Sequence, residues 1–128
     1  MTETFAKSAY FISYDPQLFL PTLFAHGIPS AYPPDRTHGF FPIAIYFSWP
    51  SPEFDQVAYN AIRESAQKLQ LYAIEQGLSD PNPIVYPNYA IFDTPFVKMY
   101  GANVARLQAI KEKVDPENVM GLAGGFKF

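Results

Sequence analysis

His26 and His38 are the only side chains whose ordinary pKa lies near neutrality, so an acid–base step at neutral pH would fall to them first. Each stands beside a glycine, Gly27 or Gly39, at a loop edge where an imidazole can meet solvent or a ligand. A lone loop histidine more often faces solvent than substrate, and no pair of carboxylates accompanies these two, so no metal is expected. Asp35 and Arg36 either form a site pair or pair across their loop; exposed ion pairs are common and individually weak, which favours the second. The absence of cysteine removes a thiolate nucleophile, a disulfide framework and a thiolate metal site together. Tyr46, Phe47 and Trp49 read first as core, although a tryptophan at a strand's end often borders a pocket. Trp49, Tyr46 and Phe41 are accordingly the aromatic candidates for substrate contact.

The 128 residues suffice for one compact domain, read here as spanning 1–128, and not for a cofactor domain plus a substrate domain. Aromatic residues make up 17%, with 12 Phe and 9 Tyr, which is more ring surface than so small a core needs. Part of it should line a pocket or an interface. A formal charge of -3 without any Lys/Arg run leaves no electrostatic footprint for nucleic acid or an anionic membrane. Met1-Thr2-Glu3-Thr4 has no basic region leading into an apolar one, and no stretch approaches the roughly 20 apolar residues of a membrane span. The expectation is a soluble, cytoplasmic chain whose partner is a hydrophobic small molecule.

The elements that must position these groups follow from pattern. Thr4 to Ser13 reads as a strand, ended by Asp15-Pro16, after which Asp15 caps a short helix through Leu18, Leu20, Leu23 and Phe24 to about His26-Gly27. Ile28 to Gly39 is a proline-rich loop. Phe40 to Trp49 is a continuous apolar run that suits a strand covered on both faces, at the sheet's centre. Ser51-Pro52-Glu53 starts a helix whose buried face runs through Phe54, Val57, Ala61, Ile62, Leu69 and Tyr72 to about Gln76, closed by Gly77. Its charges Glu53, Asp55, Arg63, Glu64 and Lys68 make a solvated face. Ile84-Val85-Tyr86 is a third extended segment, Met99 to Lys113 a second amphipathic helix, and Asp115-Pro116-Glu117-Asn118 a turn. The fold class is α+β, a small, mostly antiparallel sheet with helices on one face; the other face needs cover, which points to a homodimer.

Four segments carry a family resemblance. Tyr100-Gly101-Ala102-Asn103-Val104-Ala105-Arg106-Leu107, continuing through Val114-Asp115-Pro116-Glu117-Asn118-Val119, is similar to the terminal signature of the berberine-bridge-enzyme-like FAD-linked oxidases. Tyr86-Pro87-Asn88-Tyr89 resembles the family's Tyr-x-Asn-Tyr segment, and Phe5-Ala6-Lys7-Ser8-Ala9-Tyr10 resembles the Lys-Ser-x-Tyr strand that opens its substrate half. Pro34-Asp35-Arg36 falls where the family writes Pro-His-Arg at the same distance from a tryptophan.

By this resemblance, Tyr86, Asn88 and Tyr89 stand where substrate and flavin would face them, and a phenol or amide there can orient a carbonyl or stabilise developing charge. The bland alternative, ordinary turn and core residues, is equally open. Family members hold FAD in an N-terminal domain that nothing in this sequence resembles. Asp35 replaces the motif's histidine, and the family's carboxylate base would fall near Ala25, in a stretch from Pro16 to Pro34 without Asp or Glu. No cofactor is therefore expected. Tyr89, Asn88, His38 and His26 are the catalytic candidates, and Tyr86, Trp49, Tyr46, Phe41, Asp35 and Arg36 the substrate-binding ones. The expected activity is a non-redox cyclase or isomerase on a polyketide- or terpenoid-like intermediate, in the specialised metabolism, fungal above all, where the family is prominent. The alternatives are a non-catalytic accessory module or a fragment of an FAD-dependent oxidoreductase.

Overall fold

The computed structural model describes residues 9–123 and 127–128, and is α+β. It divides into two compact units, Met1–Leu18 with Phe41–Pro83, and Phe19–Phe40 with Ile84–Phe128. No helix among the described residues is long and apolar enough to cross a membrane.

The first unit is a two-stranded antiparallel sheet with one long helix against it. Strand β1, Phe11–Pro16, pairs with β2, Ile43–Ser48, in the register Ile12 to Phe47 and Tyr14 to Ile45. The β1 strand starts later than its apolar pattern suggests and runs through Asp15-Pro16, so Asp15 faces Ala44 across the ladder and caps no helix. The part of the expected strand before residue 9 lies outside the described residues. Nor is β2 central, since the described sheet has two strands and each is an edge.

Helix α1, Asp55–Glu75, is entered through a 3-10 turn at Pro52–Phe54. Ser51 precedes it with extended backbone, but its hydroxyl makes no cap bond and is buried without a hydrogen-bond partner among the described residues. The C-terminus follows expectation closely. Gly77 takes φ 69°, its N–H donates to Ile74 O and that of Leu78 to Ala73 O, which satisfies two of the last carbonyls. The buried face is the expected one only in part: Ala61 is buried and Phe54 and Ile62 are partly buried, as their spacing predicts. Ala58, Ala61 and Ser65 are buried, whereas Val57, Leu69 and Tyr72 are exposed. Small side chains at these spacings let the sheet lie close to the helix, so Ile12, Phe47 and Trp49 fill the space that larger helix residues would have taken. Glu64 and Lys68 pair at 2.7 Å on the solvated side, as their helical spacing predicts.

In the second unit the expected helix up to His26 shrinks to a 3-10 turn at Leu23–Ala25. Pro16 belongs to β1, Pro21 interrupts what remains, and Leu18 and Leu20 stay exposed, so no packed face rewards helix formation. Residues 28–39 form the expected irregular loop. Ile84-Val85-Tyr86 is extended but joins no ladder; Pro83 and Pro87 bracket it, and the Val85 N–H donates to Lys98 O at 2.8 Å.

The second amphipathic helix is split into α2, Phe96–Tyr100, and α3, Val104–Val114. The break is Gly101, whose φ of 54° and ψ of -132° a side chain would resist. Met99, fully buried, anchors α2. After α3 the chain turns as Asp115-Pro116 predicts. Burial pushes the Asp115 carboxyl up, but the N–H groups of Val119 and Met120 and the Lys111 ammonium outweigh it and hold it below its ordinary value.

Candidate functional site

Six half-buried rings meet in the second unit: Phe19, Phe24, Tyr32, Phe40, Tyr86 and Tyr89. Their centroids lie 5.1 to 6.5 Å apart and most pairs are edge-to-face, the arrangement that aligns ring edges with ring faces. Phe40 and Tyr86 sit at the middle, 5.7 Å from each other, so the sequence's excess of aromatics is spent here on mutual packing. Tyr86 reaches this position because Pro87–Tyr89 turns as a single 3-10 turn, which also brings Tyr89 to 5.1 Å from it. Asn88, on the same turn, is exposed and donates from Nδ2 to the Tyr86 hydroxyl at 2.9 Å. The turn thus unites Tyr86, Asn88 and Tyr89, though not on a strand.

Phe19, Phe24, Phe40 and Tyr32 are members that sequence reasoning did not place in the site, and of these Tyr32 alone carries a polar group. Its hydroxyl is buried and has no hydrogen-bond partner among the described residues. Burial, and then the neighbouring Tyr86 phenol, pushes its pKa up to about 12. The group is therefore a neutral O–H at any physiological pH, able to donate but not to act as a phenolate. Only the proline pair after it, Pro33-Pro34, hinted that this tyrosine sits on a fixed backbone.

Asp35, Arg36 and His38 follow on the same loop and do not pair as expected. The Asp35 carboxylate accepts from the Thr37 N–H and hydroxyl, each at 2.7 Å, and its other oxygen lies 2.7 Å from His38 Nδ1. The Thr37 hydroxyl, the Thr37 N–H and His38, in that order, hold the Asp35 carboxyl far below the usual carboxylate range. With its hydroxyl hydrogen on Asp35, Thr37 Oγ1 can also accept from His38 Nδ1 at 2.9 Å. The network favours the tautomer with hydrogen on Nδ1 and the lone pair on Nε2, the form a general base needs. Carboxylate and imidazole are three residues apart, a pairing that the search for two carboxylates passed over.

Arg36 turns the other way. Its guanidinium donates to Phe24 O at 2.8 Å and Ile28 O at 3.0 Å, with longer bonds to His26 O and Gly27 O. It thereby pins the 24–28 segment and fixes the loop's return. His26 enters through its carbonyl; its imidazole is exposed and makes no hydrogen bond among the described residues. Beside this loop opens a cleft of about 450 Å³, walled by its prolines and by Tyr32, Arg36, Asn103, Arg106, Leu107 and Ile110.

The remaining candidates belong to the first unit. Trp49 donates from Nε1 to Asp55 Oδ1 at 2.7 Å and meets the Tyr59 ring edge-on at 5.6 Å, a structural role that ties β2 to the start of α1. Phe41 and Tyr46 are about half exposed. Tyr46 lies across from Ser13, on the sheet face opposite Ile12 and Phe47.

Flavin chemistry would require a cradle for the cofactor's pyrophosphate, a glycine-rich loop running into a helix N-terminus. Helix α1 begins instead with Glu53 and Asp55, carboxylates that would repel a diphosphate. Ahead of α3, Gly101 alone is glycine, and a Cβ placed on it would meet Pro33 and Ile84 at 3.7 and 3.8 Å. The described residues do not fit the cofactor.

Fold and site define an α+β protein with an aromatic cluster and a cation-lined cleft. The family model described as berberine and berberine like matches residues 85–123, the segment that supplies Tyr86, Asn88, Tyr89 and α3. This chain therefore carries the berberine-like C-terminal segment that its terminal signature resembles. No curated protein and no solved structure matches it.

Proposed function

We propose that the chain is a cofactor-independent cyclase or isomerase that binds a hydrophobic polyketide- or terpenoid-like molecule. The observation that carries this reading is the buried Tyr32 hydroxyl, which lacks a partner among the described residues at the edge of the aromatic cluster. A buried donor without a partner destabilises a fold by about 1–3 kcal/mol, a deficit that a ligand oxygen would remove. A neutral phenol of high pKa polarises a carbonyl by donating to it, and apolar rings around it strengthen that bond by excluding water. His38, which Asp35 orients and which stands exposed on the same loop as Tyr32, is the base assigned to proton removal in this reading. Ring closure or double-bond migration then needs no redox partner, because orientation in the pocket lowers most of the barrier.

A second reading is favoured by the berberine-like segment itself: the chain furnishes the substrate-facing side of an oxidoreductase whose flavin is held by a separate domain. Visible absorbance of the purified chain, with and without added FAD, separates the two. A colourless protein that leaves the flavin spectrum unchanged, yet rearranges an apolar enone, supports the cyclase or isomerase; flavin binding with no turnover in its absence supports the second reading and refutes the first. Self-association accompanies the proposal, through the sheet face where Phe11 and Tyr46 stand exposed. Sedimentation as a monomer at micromolar concentration would remove that part.

A further inference from the structure

The cleft beside Tyr32 differs from the rest of the molecule in its electrostatics. The chain as a whole is acidic, at -3, yet no acidic side chain lines this cleft and two arginines do. Arg36 donates from both terminal nitrogens to main-chain carbonyls, which are neutral, and pairs with no carboxylate among the described residues. Arg106, on the first turn of α3 and exposed, makes no hydrogen bond or ion pair among the described residues. One cation is therefore fixed and the other is available. The walls between them are apolar, formed by the loop prolines on one side and by Leu107 and Ile110, one turn apart on α3, on the other. Asn103 cannot adjust freely, because its Nδ2 donates to Ala31 O at 3.0 Å and holds the loop against the helix. The cleft's shape is thus set by the protein, and its volume falls within the range of small-molecule sites.

We infer that this cleft binds an apolar molecule bearing a carboxylate, with Arg106 pairing the head group, Arg36 adding a fixed positive field and Leu107 and Ile110 receiving the hydrocarbon body. A guanidinium offers two parallel N–H groups that match the two oxygens of a carboxylate, which sets this head group above a neutral one. The assignment rests on the reading of the second unit as a ligand-binding site and narrows it, giving the substrate class as hydrophobic acids. It stands without any claim about turnover.

The test is equilibrium binding, by calorimetry and by amide shifts in the full chain, with decanoate, decanol and decyl phosphate as probes. Decanoate should bind and shift the amides of α3 and the 30–36 loop. Arg106→Gln should weaken it about tenfold, the effect of losing one charge-assisted pair, and Lys113→Gln, which removes a like charge from the same helix outside the cleft, should not. Binding should also weaken as salt rises. Equal affinity of R106Q and K113Q for decanoate, or decanol binding as well as decanoate, would overturn the inference. Tighter binding of decyl phosphate would reassign the head group and overturn the carboxylate. Arg106-dependent decanoate binding without any rearrangement activity would leave this inference standing and remove the proposed catalysis; turnover of an apolar enone by the wild-type chain, with no binding of decanoate to it, would do the reverse.

Discussion

Replacing Tyr32 by phenylalanine removes one oxygen and leaves a ring that can keep its edge-to-face partners, Phe24 at 6.0 Å and Tyr86 at 5.9 Å. The oxygen is buried and unpaired, so in the free protein its loss should relieve a desolvation penalty of about 1–3 kcal/mol. Tyr32 is only half-buried as a residue, which places the gain near the lower end, about 1 kcal/mol. For a chain of this length that is a rise of about 4 °C in Tm. The pH dependence has a definite sign. Because the folded-state pKa stands at about 12, above the ordinary 10.0, the wild-type protein loses stability as pH rises from 10 toward 12, where the unfolded phenol ionises and the folded one does not. The variant should lack that alkaline loss while binding a carbonyl ligand about tenfold more weakly. Differential scanning calorimetry across pH, with ligand titration of both proteins, reads all of these. A lower Tm for Tyr32→Phe would mean that the hydroxyl already has a partner in the free protein, and the argument for a ligand donor would fail.

Other consequences are more local. Met99→Ala should destabilise by about 2–5 kcal/mol in urea unfolding, since Met99 is fully buried; a change below about 1 kcal/mol would show that α2 is not held by this side chain. Gly101→Ala should cost about 1–3 kcal/mol through backbone strain alone, because the added Cβ would meet Pro33 and Ile84 only at ordinary distances of 3.7 and 3.8 Å; an unchanged melting curve would contradict the strain. Carboxyl carbon NMR should find Asp35 titrating well below an ordinary aspartate, and Thr37→Ala should move it upward. The depressed pKa stabilises the fold above the unfolded carboxylate value and that contribution is lost as pH falls through the folded one, so an Asp35 titrating normally would mean that its bonds to Thr37, and with them the His38 pairing, are not maintained. Trp49→Phe should cost about 1–2 kcal/mol, through the lost bond to Asp55, without altering ligand affinity; weaker binding would return Trp49 to the pocket.

Much of the local structure could be read from residue type. Gly77 stops α1 because a left-handed position favours glycine, and Asp115-Pro116 turns the chain because the carboxylate reaches the N–H groups of Val119 and Met120. These outcomes depend on neighbours within a few residues. The expectations that failed depended on partners further away. The helix toward His26 had apolar spacing but no surface to bury it against, and the third strand had β-favouring residues but no ladder to join. The buried face of α1 kept Ala61 and gained Ala58 and Ser65, because what packs there is decided by how closely the sheet approaches, while Val57, Leu69 and Tyr72 remained outside.

The candidate site divides along the same line. Sequence alone nominated Tyr86, Asn88 and Tyr89 through their motif, and marked the berberine-like segment that holds them, because such signatures are contiguous. The bonds of Asp35 to Thr37 and His38 are local, within three residues, but tertiary structure alone decided that Arg36 would turn to the carbonyls of Phe24 and Ile28 instead of pairing with Asp35. It also decided that the Tyr32 hydroxyl would have no partner among the described residues, and that Arg106 would share a cleft with a loop 70 residues earlier, at Arg36. Hydrogen-bond direction and charge compensation are properties of what surrounds a group in space, and the order of residues along a chain does not carry them.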